Sequence, residues 1–174
     1  MFPVLDTRGR VVGFGGRRLD NKDGSPREEG PKYLNSSESV LFKKGTLFFG
    51  MYEAQKEIRA ENQVLIVEGF MDCLSLKQAG LTNVVATLGT SLSQVQAETL
   101  GRLAADIVVI YDSDRAGRDA QFKAMNLFLE LGITIRGVQL PEGLDPDNFI
   151  NQYGADQLRE LILQSPALLD QYIL

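Results

Sequence analysis

Four short apolar runs fix what the chain can fold into: Val64-Leu65-Ile66-Val67, residues 84–87, Ile107-Val108-Val109-Ile110-Tyr111 and residues 134–140. Amphipathic stretches separate them: one ending at Gly80, one near 93–104, and one over 116–131 that stops at Gly132. Strands that alternate with helices require crossover connections, and crossovers generate a parallel sheet. In the third helix Ala120, Ala124, Leu127, Phe128 and Leu131 recur at helical spacing and form its core face. The expected fold class is α/β, a parallel-sheet core with helices on both faces. A small β-rich segment precedes it and short helices near 155–163 and 166–173 follow it.

The first 60 residues read differently. Phe2-Pro3-Val4-Leu5, a turn at Asp6-Thr7-Arg8-Gly9 and Val11-Val12-Gly13-Phe14-Gly15-Gly16 predict a hairpin. Residues 21–37 are polar and rich in Gly and Pro and are expected to be a loop. A helix is expected over about 50–60. The glycines at 13, 15 and 16 superficially suggest a phosphate cradle, but no helix follows them, so a dinucleotide fingerprint is rejected.

Two of the strands end on acids. Glu68-Gly69 follows the first directly, with Asp72 in the first turn of the next helix, and Asp112-Ser113-Asp114 follows the third. In open α/β sheets, ligands bind outside the carboxyl ends of the strands. Hard oxygen ligands gathered there suit Mg²⁺, which takes a few carboxylates and keeps positions for water and phosphate. Each acid also has a plainer local account. Asp72 complements a helix dipole, Asp114 caps a helix, and Asp145-Pro146-Asp147 reads as a helix start with Asp145 as N-cap. Glu68 has no such account, and the close pair Asp112 and Asp114 carries a repulsion that a cation would remove. Thr87-Leu88-Gly89-Thr90-Ser91 sits at another strand-to-helix turn, where its glycine and hydroxyls would pack beside a phosphate or Ser91 or Ser93 would cap the helix.

Composition removes other chemistries. Apolar residues make up 44% and charged residues 24%, as in globular proteins, and no stretch approaches a membrane span of roughly 18 apolar residues. The start lacks a basic flank and an apolar region, so a cytoplasmic location is the default expectation. With no histidine and a single cysteine, Cys73, the chain holds no disulfide, no structural zinc site and no Ser-His-Asp or Cys-His triad. Net charge is −5, unevenly spread: residues 1–60 hold 11 Lys/Arg against 8 Asp/Glu, and residues 61–174 hold 7 against 15. A basic first third beside an acidic remainder is compatible with phosphate contacts next to a metal site.

Several segments, in order, resemble the catalytic core of bacterial replicative primases of the DnaG type. These are Gly13-Phe14-Gly15-Gly16-Arg17, Pro31-Lys32-Tyr33-Leu34-Asn35, Lys44-Gly45, Val67-Glu68-Gly69-Phe70-Met71-Asp72, Leu88-Gly89-Thr90-Ser91, the run from Tyr111 to Ala120, and Asp145-Pro146-Asp147. The strand-end Glu with Asp-x-Asp marks the Toprim domain, and the Lys-Tyr-Leu-Asn and Asp-Arg-Ala-Gly runs point to primase. The resemblance implies a Toprim-type core over 61–147, a basic segment of the polymerase core over 1–60 and a C-terminal helical segment over 148–174.

It further implies that Glu68, Asp112 and Asp114 are the central catalytic and metal-binding acids, with Asp72, Asp145 and Asp147 as further acids of the site. Arg17, Lys32, Tyr33 and Lys44 are expected to touch nucleotide or nucleic acid. Expected cofactors are Mg²⁺ or Mn²⁺, with no zinc in this segment. The expected activity is synthesis of short RNA primers on a single-stranded DNA template from ribonucleoside triphosphates. The replicative helicase is an expected partner through a region outside this chain, and no membrane is involved. A Toprim nuclease or topoisomerase and a non-catalytic Toprim scaffold are the alternatives.

Overall fold

The computed structural model describes residues 1–19 and 30–173. The expected loop over 21–29 lies outside them. A four-stranded parallel sheet forms the centre, built from β4 (Gln63–Val67), β5 (Val84–Ala86), β6 (Asp106–Val109) and β7 (Arg136–Gly137) in the order β5-β4-β6-β7. Its helices are α1 (Met51–Glu61), α2 (Phe70–Gln78), α3 (Gln94–Leu103) and α4 (Arg115–Glu130), followed by α5 (Pro146–Tyr153), α6 (Ala155–Gln164) and α7 (Leu168–Ile173). The α/β expectation, with a β-rich segment before the core and helices after it, is met.

Why the central runs are apolar throughout is visible in their packing. Leu65, Val67, Val108 and Ile110 face one core with Phe70, Cys73, Leu76 and Leu158, while Val64, Ile66, Ile107 and Val109 face another with Ile58, Leu100, Ala124 and Phe128. A strand covered on both faces has no solvent side on which to place polar residues. Each fully buried Leu or Ile side chain is worth about 1.5–3 kcal/mol.

Both flanks of the sheet are closed. Phe49 and Ala86 exchange backbone hydrogen bonds at 2.9 and 3.0 Å beside β5. Leu168 donates to the Ile135 carbonyl at 2.9 Å and Gly137 to the Pro166 carbonyl at 3.3 Å beside β7. Among the described residues, each outer strand of the parallel sheet thus has a backbone partner on its outer side. The fourth run is shorter as a strand than the expected 134–140: only Arg136 and Gly137 pair with β6, although Ile135 and Val138 remain buried.

A second sheet, antiparallel, contains β1 (Phe2–Leu5), β2 (Val11–Arg17) and β3 (Tyr33–Asn35) in that order. The hairpin of β1 and β2 is as expected. The strand β3 corrects the expectation of loop over 21–37: Gly15, Gly16 and Arg17 pair with Asn35, Leu34 and Tyr33. Nothing local in Tyr-Leu-Asn signals it, because the pairing is supplied by a distant strand. The glycines of β2 are packing positions. A Cβ at Gly13 would run into the Phe42 ring and one at Gly15 into Phe70, so both aromatic rings lie directly against the strand. Phe70 opens α2, so this contact seats the antiparallel sheet beside the start of that helix.

The expected helix start, with Asp145 as N-cap, is met, and it opens a full helix, α5, that was not among the expected short helices near 155–163 and 166–173. Its buried Phe149 packs in the same core as Phe70 and Leu158.

Candidate active site

Glu68 leaves the end of β4, and Gly69 turns the chain into α2. The Glu68 Oε1 atom is buried and has no hydrogen-bond partner. Burial, reinforced by Asp112 and then Asp114, pushes the carboxyl up to about 7. Asp72, four residues on, is buried too. It accepts from the Gly69 N–H at 3.0 Å and from the Asp147 N–H at 3.2 Å, clipping the first turns of α2 and α5 together. Burial and the neighbouring Asp112 still raise its carboxyl to about 7, against those two N–H groups.

Asp112 follows β6 and is half-buried, its carboxyl raised by burial and by Asp145 and Asp114. The chain bends at Ser113 and Asp114 instead of staying extended. Asp114 therefore takes the N-cap of α4, accepting from the Gly117 N–H at 2.8 Å. Asp145 caps α5, with both oxygens bonded to Asn148. Asp147 accepts from Ser75 Oγ and from Asn151 Nδ2. Local capping and the position at the strand ends thus hold together at Asp72, Asp114 and Asp145.

Ser113, a mere spacer in the sequence, joins the two acidic turns. Its N–H donates to the Leu144 carbonyl at 3.1 Å, and the Leu144 N–H donates to Ser113 Oγ at 3.0 Å. The turn after β6 and the turn before α5 are thus hydrogen-bonded to each other in both directions. Gly117 tightens the same corner, since a Cβ there would strike the Asp112 carbonyl.

One cavity of about 490 Å³ gathers most of the expected site. It is lined on the acidic side by Glu68, Asp72, Asp112, Asp145 and Asp147 and on the other by Arg17, Lys32 and Tyr33 of the antiparallel sheet and its approach. The Lys32 ammonium sits 5.7 Å from the centroid of the Tyr33 ring, a cation–π distance. Burial raises the Tyr33 hydroxyl. Of the expected site residues, Asp114 and Lys44 do not line this cavity. Lys44 lies in a 3-10 turn over Lys44–Thr46, where its N–H donates to Glu38 and its carbonyl accepts from Gln96. Thr87 and Gly89, of the turn expected to pack beside a phosphate, also line the cavity, as do Asn35 and Asn148, which the sequence had not singled out as site residues.

Whether these residues fit a divalent cation is decided by Glu68: an orphaned, buried carboxylate oxygen beside further raised acids is a donor set short of positive charge. Among the described residues no three acids stand close enough to enclose one ion, and none of the residue types for a zinc site is assembled. The capping bonds of Asp114 and Asp145 hold those carboxylates to their own helices and account for the open spacing. The fit is that of a Mg²⁺-type site sharing its coordination with water and substrate.

A thermal measurement checks this. Glu68 and Asp72 both titrate near 7 in the folded chain, above their ordinary values of 4.5 and 3.8. Folding therefore takes up protons between those limits, and the contribution of these two groups to stability falls as pH rises toward 7 and stays low above it. Mg²⁺ is expected to raise the melting temperature more at about pH 8 than at about pH 5. Equal shifts at both pH values would contradict the assignment.

Known proteins place the chain. A Toprim-like family matches residues 65–150, and the N-terminal domain of the DNA primase catalytic core matches residues 1–55. The DNA primase of Aquifex aeolicus is 44% identical over 99% of this chain. The chain belongs to the bacterial DNA primase family. It spans about a third of the length of that primase, 34%. Solved primase structures agree in fold. A primase domain from Pseudomonas aeruginosa superposes with a TM-score of 0.90 at 40% identity, covering 99% of this chain and 53% of that one. A primase catalytic domain bound to single-stranded DNA superposes with a TM-score of 0.83 at 39% identity, covering 96% and 53%. Among the described residues no helix is long and apolar enough to cross a membrane.

Proposed function

We propose that this chain is the metal-dependent nucleotidyl-transfer centre of a primase, making short RNA primers on single-stranded DNA. The observation that carries the reading is the two-sided cavity, with carboxylates from the parallel sheet facing Arg17, Lys32 and Tyr33. A polymerase needs this pairing, because a triphosphate is repelled by the acids that hold its metal unless cations meet its other end. The family match and the likeness to a primase domain bound to single-stranded DNA support it.

In the reaction a 3′-hydroxyl gives its proton to water, its oxygen bonds to the α-phosphorus of a ribonucleoside triphosphate, and the bond from that phosphorus to the bridging oxygen breaks, releasing pyrophosphate. Glu68 and Asp112 would hold Mg²⁺ or Mn²⁺, with Asp72, Asp114, Asp145 and Asp147 around them. When bound, such an ion would supply the positive charge that the attacking and leaving oxygens need. Arg17 and Lys32 bind the triphosphate, and Tyr33 offers a face on which a base or sugar can rest. Lys44, set apart from the cavity, contacts the nucleic-acid backbone. Residues 1–60, 61–147 and 148–174 form the basic segment, the Toprim core and the trailing helices. Contact with a replicative helicase belongs to other parts of a full-length primase.

With this segment in the full-length protein, Mg²⁺, ribonucleoside triphosphates and single-stranded DNA are expected to yield short RNA, and supercoiled DNA is expected to stay intact. Nicking or relaxation without RNA synthesis would replace the reading with a Toprim nuclease or topoisomerase.

A further inference from the structure

Asn35 ends β3 at the point where the antiparallel sheet meets the parallel one. Its Nδ2 donates to the Leu88 carbonyl at 2.8 Å. Only the amide's nitrogen can answer a carbonyl, so the orientation of the group is fixed and Oδ1 is left as its acceptor. That Oδ1 is buried and has no hydrogen-bond partner. Across the described residues only one other buried side-chain atom shares this state, Glu68 Oε1, and both residues line the same cavity.

An orphaned buried acceptor is costly unless a bound molecule supplies a donor. The two orphans differ in what satisfies them. Glu68 is a carboxylate and takes a cation. A neutral amide oxygen is a weak competitor for Mg²⁺, which prefers carboxylates and water. A triphosphate, fully ionised, offers only acceptors. The donor left for Asn35 is a hydroxyl of the sugar or an N–H of the base.

We propose that Asn35 is a specificity-determining residue that accepts a hydrogen bond from the 2′-hydroxyl of the incoming nucleotide, so that the chain selects ribonucleotides over deoxyribonucleotides. The inference rests on the polymerase reading above. Template copying must admit all four bases, whose edges carry different donor patterns, so a fixed acceptor aimed at a base would favour some and reject others. The sugar is common to all four. Its 3′-hydroxyl has to remain free as the nucleophile of the next addition, which leaves the 2′-hydroxyl. The bond to Leu88 then gives Asn35 a second value: the residue that reads the sugar is tied to the turn after β5, within the same cavity as Glu68.

The test compares single incorporations of ribo-, 2′-deoxy- and 3′-deoxynucleoside triphosphates by the full-length protein, wild type and Asn35→Leu. In the wild type, loss of the 2′-hydroxyl is expected to lower kcat/KM at least about tenfold, and loss of the 3′-hydroxyl to leave it nearly unchanged. Asn35→Leu is expected to lower kcat/KM about tenfold for ribonucleotides and to spare 2′-deoxynucleotides, bringing their ratio close to one. Equal losses on both sugars would overturn the proposal in favour of a purely structural bond to Leu88. A loss confined to some bases would overturn it in favour of a base contact. Should Asn35→Leu fail to fold, the wild-type comparison still decides, because equal use of ribo- and 2′-deoxynucleotides overturns the proposal. Incorporation without sugar preference strikes Asn35 alone, whereas no incorporation of any nucleotide by the wild type strikes the polymerase reading and this proposal with it.

Discussion

Glu68→Gln in the full-length protein is expected to lower primer synthesis by at least about a thousandfold and, in the absence of metal, to make the protein more heat-stable. The two effects have one cause. Glu68 is a buried acid with an unpartnered oxygen, pushed up to about 7 by burial and by Asp112. Its charge is a liability until a cation arrives. Glutamine keeps the shape and removes the charge, so the metal-free fold loses a repulsion. It also removes a metal ligand, and metal-held transition-state stabilisation is worth several kcal/mol, which corresponds to roughly three decades in rate. Asp112→Asn is expected to show the same activity loss. Near-normal activity in either variant would remove these acids from the reaction, and a lower melting temperature for metal-free Glu68→Gln would show that its charge is compensated after all. Primer yield and a melting curve with and without Mg²⁺ settle both.

Gly117→Val is expected to abolish activity from a position that touches no substrate. A Cβ at 117 has nowhere to go but into the Asp112 carbonyl, and the Gly117 N–H is bound by the Asp114 cap. To make room, the turn must pull away from α4 and carry Asp112 with it. Overpacking of this kind costs about 1–3 kcal/mol, measurable by urea denaturation. The displaced acid is the larger effect, since misplacement by about 1 Å can cost a hundredfold in rate. A variant with wild-type stability and wild-type primer yield would show that the corner has room that the packing denies.

How much of this could be read from the chain depended on how local the cause was. The apolar runs of β4 and β6 announced themselves because two-sided burial leaves no polar residue in them. Glu68 stood out for a related reason, since a charge directly after a buried strand has few structural excuses, whereas Asp72, Asp114 and Asp145 each also had a local dipole or capping account. The strand Tyr33–Asn35 was hidden because its pairing comes from β2, and β7 was overdrawn because only two of its residues find a partner on β6. The small polar residues were the least legible. Ser113 and Asn35 owe their positions to the backbone at Leu144 and Leu88, partners the sequence places 31 and 53 residues away. The spacing of Asp112 and Asp114 suggested a matched pair, yet the bend at Ser113 gives the first to the cavity and the second to the helix cap.

The flanking contacts of the parallel sheet carry a consequence for how much of its rim is open to a ligand. With Phe49 hydrogen-bonded against β5 and Ala167 bridged against β7, the count of strands is fixed at four. Four strands offer a short row of exits along one rim, and three of those exits already carry the acids of the site: after β4, after β6, and on the path from β7 into α5. The acids and the strand count together leave little of this rim uncommitted. The cavity extends instead toward the three-stranded sheet, whose near end brings Arg17, Tyr33 and Asn35 to it.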